Sequence, residues 1–103
     1  MRKTERTDDG RWIVVEGRRW RAEDPSLPAD ASTRLRSHLG RARAAVRNAS
    51  SDGEREAARD RVQLAKEGLG ERGEAWWELT EDDRAARAAE RIAALDELAP
   101  PAG

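Results

Sequence analysis

Apolar and charged residues alternate through two short runs near the start of the chain, Arg11-Trp12-Ile13-Val14-Val15 and Arg18-Arg19-Trp20-Arg21-Ala22, with Glu16-Gly17 between them. That spacing predicts a β-hairpin with Val15 opposite Arg18, Ile13 opposite Trp20 and Trp12 opposite Arg21. One face then carries Ile13, Val15, Trp20 and Ala22; the other carries Trp12, Val14, Arg19 and Arg21. Glutamate is not a favoured first turn residue, and a one-residue slip would exchange the faces. Residues 1–10 are polar and read as a flexible tail. A lone hairpin is marginal in water, so its apolar face needs a surface to dock on.

After the extended stretch Asp24-Pro25-Ser26-Leu27-Pro28 the period changes. Leu35, Leu39, Ala42, Val46 and Ala49 recur at helical steps, which predicts a first helix running to about Ser50, with Gly40 weakening its interior. Ser50-Ser51-Asp52-Gly53 breaks it and offers N-caps. Ala58, Val62, Ala65 and Leu69 repeat the spacing over a second helix, 53–69, which Gly68, Gly70 and Gly73 stop. Beyond Trp76-Trp77, Thr80 caps a third helix over about 81–99, with Glu81, Asp82 and Asp83 in its first turn. Pro100-Pro101 end it, leaving a short tail, 100–103. The expected fold is α+β and mostly helical: a β-hairpin packed on an αα-hairpin with a Trp-Trp segment (11–79), plus a C-terminal third helix (80–99). Trp20, Trp76, Ile13 and Val15 are expected to share a core with Leu35, Leu39, Val46, Val62 and Leu69. The third helix carries Ala85, Ala88, Ile92, Leu95 and Ala99 at heptad spacing. It either folds back as a third bundle helix or pairs with a second copy.

Composition makes that core thin. Of 103 residues, 19 are alanine, and the larger apolar side chains amount to 8 Leu, 4 Val, 2 Ile, 4 Trp and one Met. Small chains with few large apolar residues often lean on a partner or on their own copy. The absence of cysteine excludes disulfides and thiolate metal sites. No apolar run is long enough to span a membrane and no signal peptide is visible, so a cytoplasmic protein without a membrane role is expected. Net charge is −1, yet residues 1–50 hold 12 bases and 7 acids while residues 51–103 hold 8 and 14. Such asymmetry reads either as a basic binding face or as two halves that fold on each other or on a second copy; the second reading is preferred.

The motifs are weak. Gly68-Leu69-Gly70-Glu71-Arg72-Gly73 matches the dinucleotide fingerprint, but it follows a helix with no βαβ unit, so it reads as a helix stop. His38 beside Ser37 reads as a surface histidine, because neighbours on a helix point about 100° apart. Nothing assembles an acid, a base and an oriented nucleophile, so no catalytic residue, cofactor or metal is expected. Arg36, Arg43 and Arg47 flank the first helix's apolar stripe on one side, Arg34 and Arg41 on the other. Trp12 with Arg19 and Arg21 reads either as a stacking platform or as an internal cation–π contact.

Three blocks, Trp12 to Arg21, Asp24-Pro25-Ser26, and Gly70-Glu71-Arg72-Gly73-Glu74-Ala75-Trp76-Trp77-Glu78, resemble a family of small bacterial proteins of uncharacterised activity that often carry the label "biopolymer transporter Tol". Family members commonly have proline where Ala75 stands, and the stretch after Leu79 does not match. The resemblance implies that the hairpin, the αα-hairpin and the double tryptophan form one unit; it implies no catalytic residue. The transporter label itself finds no span or export signal to rest on here. The functional expectation is a small non-catalytic interaction protein that binds another protein or itself. The alternative is a nucleic-acid-binding protein. In either case the candidate surface is Trp12, Arg18, Arg19, Arg21, Arg34 and Arg41.

Overall fold

Glu16 and Gly17 turn the chain with positive φ at both positions, 52° and 80°, the turn that matches the twist of a two-residue hairpin. Strands β2 (Trp12–Val15) and β3 (Arg18–Arg21) pair in the expected register, Ile13 against Trp20 and Trp12 against Arg21. The structure, a computed structural model, describes residues 4–101. The expected tail requires correction: Thr4–Arg6 form a strand, β1, that pairs antiparallel with β2 and completes a three-stranded sheet in the order β1-β2-β3. The reason lies in the next four residues. Thr7 Oγ1 donates to Asp9 Oδ1 at 2.7 Å, the Arg11 N–H donates to the same oxygen at 3.0 Å, and Gly10 turns at φ 73°. That turn carries the chain back against the free edge of β2, and it holds the Asp9 carboxyl below its ordinary range, chiefly through the Thr7 hydroxyl. Residues 1–3 and 102–103 of the expected tails lie outside the described residues.

The helices fall close to their expected limits: α1 Ala29–Asn48, α2 Asp52–Leu69 and α3 Glu81–Leu98, with a 3-10 turn at Trp76–Glu78. Ser51 Oγ accepts from the Glu54 N–H and Thr80 Oγ1 from the Asp83 N–H, each at 3.1 Å, satisfying otherwise orphaned helix-start donors. Gly70, at φ 87°, is the left-handed cap of α2. Gly68 acts differently from a stop signal. It is buried inside α2, where an added Cβ would stand 2.7 Å from Leu35 Cδ2 of α1 and 3.2 Å from Arg91 Cβ of α3. The three helices meet there.

The apolar stripe of α3 is used within the chain: Ala88, Ile92 and Leu95 join Leu35, Leu39, Ala65 and Leu69 in one core. Of the expected core residues, Trp76 is buried and the half-buried Val62 packs against the core, but Trp20 is 45% exposed, and Ile13, Val15 and Val46 are only half-buried. The register of the hairpin is as expected; the face that meets the rest of the molecule is the other one. Trp12 of that face stands 5.5 Å, centroid to centroid, from Trp77. The sheet makes no extensive contact with any helix. None of the three helices is long and apolar enough to cross a membrane among the described residues.

Candidate interaction surface

The sheet is held by a joint where chain-distant residues meet. Trp76 Nε1 donates to the Ala22 carbonyl at 3.0 Å, the Asp24 N–H donates to the Leu69 carbonyl at 2.9 Å, and Arg21 Nη1 donates to the Gly73 carbonyl at 2.7 Å. Asp24 is buried; its Oδ1 accepts from Ser26 N and Oγ, at 2.9 and 2.8 Å, so the chain turns into α1 immediately after the sheet. Gly70 leaves room for this, since a Cβ there would lie 3.0 Å from Trp76 Cδ1 and 3.1 Å from Asp24 Cβ. Trp76 and Trp77 meet edge to face at 5.2 Å, and Arg84 of α3 lies over Trp76.

The six candidate residues do not form one patch. Trp12, Arg19 and Arg21 share a face turned toward the joint: Arg19 lies 4.4 Å over the Trp12 ring, and Arg21 is spent on Gly73 and on the Trp77 ring. Arg18 stands on the opposite face, 4.7 Å over Trp20. Arg34 and Arg41 lie elsewhere, on the side of α1 that α3 covers. Arg34 pairs with Asp96, while Arg41 donates to the Ala99 carbonyl at 3.3 Å and to His38 Nδ1 at 3.1 Å.

His38 corrects the surface reading: it is 2% exposed. It sits one turn along from Leu35, and α3 folds back over it. Nε2–H donates to Asp96 Oδ1 at 2.7 Å, because a carboxylate only accepts, and Nδ1 accepts from Arg41, because a guanidinium only donates. Both ring nitrogens are therefore occupied. The His38 hydrogen bond, followed by the Arg34 charge, holds the Asp96 carboxyl below its ordinary value.

What remains on the sheet is an outer face of Ile13, Val15 and Trp20, bordered by Arg18 and by Arg6, which stands opposite Ile13. No helix covers it.

A second surface escaped the sequence reading. On the other flank of α1, Arg43, Val46 and Arg47 face Arg59, Val62 and Gln63 of α2 across a cleft of about 640 Å³, with Arg72 at one end. Among the described residues none of Arg43, Arg47 and Arg59 makes a side-chain hydrogen bond or a close ion pair, although the Arg43 charge acts on the Glu71 carboxylate, whereas Arg34, Arg36, Arg55, Arg84 and Arg91 are ion-paired. Arg72 donates to Gln63 Oε1 at 2.7 Å. Burial, together with the nearby charges of Arg72 and Arg43, pushes the Lys66 ammonium below its ordinary pKa, and burial pushes the Glu71 carboxyl up. The pattern of arginines on two flanks of α1 was the available signal. Which flank α3 would take could not be read from spacing alone. Compared with protein-family models, with curated proteins and with solved structures, the chain matches none.

Proposed function

We propose that the protein is a non-catalytic interaction module that binds another protein through the Ile13–Val15–Trp20 face of its sheet. The observation that carries this reading is Trp20 standing 45% exposed among two half-buried β-branched residues, on a sheet that no helix covers. Tryptophan and arginine dominate the energetics of protein interfaces, and here Arg18 lies over the Trp20 ring. The lone histidine supports a non-catalytic role, since neither of its ring nitrogens is free to take a proton from a substrate. Nucleic acid is the poorer fit. Phosphate binding at the candidate surface needs several converging cations, but Arg34 and Arg41 are held by α3 and Arg21 by Gly73, which leaves Arg6 and Arg18 on the Trp20 face and Arg19 over Trp12 on the opposite one.

The test is an affinity comparison with a partner isolated from nuclease-treated extract and then purified. Trp20→Ala should weaken that complex by about 2 kcal/mol, roughly thirtyfold in Kd. Binding indifferent to Trp20→Ala, or binding that vanishes with nuclease and falls steeply with salt, would overturn the reading.

A further inference from the structure

We infer that the cleft between α1 and α2, on the flank that α3 leaves open, docks an acidic amphipathic helix of a partner protein. The molecule itself shows how such a helix sits on this pair. On the covered flank, α3 lays Ala88, Ile92 and Leu95 into the core and presents Asp96 to Arg34 and His38. The open flank also sets apolar side chains beside arginines, on a smaller scale. Val46 and Val62 form a half-buried apolar floor, and the exposed Arg43, Arg47 and Arg59 line it, none of them in a close ion pair among the described residues. Asp60 is the one carboxylate among the residues lining the cleft, so the wall is cationic on balance.

Two antiparallel helices leave a groove that fits one further helix, and burying the valine floor requires apolar residues at i, i+3 and i+4 on the incoming one. Acidic residues flanking that stripe would meet the arginines and give the complex its orientation. A phosphate backbone would satisfy the arginines but would leave the exposed part of the valines in water. That difference selects a helix over a nucleic acid. The cleft is separate from the sheet face, so the two proposals stand or fall apart.

The probe is a designed helical peptide with a leucine stripe flanked by glutamates, used beside a version with lysine in place of glutamate and beside a DNA duplex. Fluorescence anisotropy with the full chain should give saturable binding of the acidic peptide. The combined variant Arg43→Glu, Arg47→Glu, Arg59→Glu, shown by circular dichroism to keep its helix content, should weaken it at least about tenfold and should gain binding of the lysine version. Amide NMR shifts on adding the acidic peptide should centre on Val46 and Val62. Acidic peptide that does not bind, or that binds wild type and variant alike, refutes the proposal. Duplex DNA binding more tightly than the acidic peptide, and lost in the same variant, would replace it with a nucleic-acid surface.

Discussion

Trp20 and Trp76 are the same residue type put to opposite uses, and the difference is measurable. Trp76 is buried with its indole N–H on the Ala22 carbonyl, so Trp76→Ala removes both a core side chain and a sheet anchor and should cost about 3–5 kcal/mol in denaturant unfolding. Trp20→Ala, at an exposed position, should cost less than about 1 kcal/mol in the same measurement. Titratable side chains give a second contrast. Because the folded state lowers the Asp96 pKa, its contribution is present above the ordinary carboxylate range and lost as pH falls through the lowered value. Acid should therefore loosen α3, and Asp96→Asn should flatten the dependence of stability on pH below about 4. Glu71 has the opposite sign. Burial raises its pKa, so its ionised form works against folding as pH rises past the ordinary value, and Glu71→Gln should raise the melting temperature near neutral pH. Neither the burial of His38 nor its Asp96 partner was legible in the sequence, because 58 residues separate them and only the return of α3 joins them.

At the scale of elements, the strongly periodic segments were legible and the partner-dependent ones were not. The limits of α2 and α3 follow from stripes and caps that lie within each segment, those of α1 from its stripe and the flanking Pro28 and Ser50–Gly53 break, and the hairpin register follows from a two-residue turn. Strand β1 is polar and short; only the open edge of β2 and the Thr7–Gly10 turn make it a strand. Likewise the register told which residues share a face, but the choice of face was made by Trp77, from the far end of the chain. Glycines inside helices separate the two kinds of information. Gly40 is exposed with nothing near its would-be Cβ, so Gly40→Ala should stabilise α1 by about 0.5–1 kcal/mol. Gly68→Ala drives a methyl into the fully buried Leu35 and should destabilise by about 1–3 kcal/mol. Thermal melts of the two variants should move in opposite directions.

Over the whole molecule, the opposite charges of the two halves are met partly within the chain. Asp96 of α3 answers Arg34 and His38 across the two halves, and Asp24 meets Arg84 at 3.6 Å, whereas Glu67 with Arg91 and Glu23 with Arg36 pair within one half. What these contacts leave over is a cationic cleft on the helices and an apolar, arginine-bordered face on the sheet. The sequence showed the charge asymmetry and the thin core, but not which surfaces would remain once the halves had closed. The most direct measurement is photo-crosslinking in intact cells, with a photoreactive amino acid in place of Trp20 and, separately, in place of Trp12. The account predicts a nuclease-resistant adduct to one protein from position 20, much weaker from position 12, and lost when Ile13→Asp is added. Equal adducts from both positions, or an adduct that nuclease removes, would contradict it.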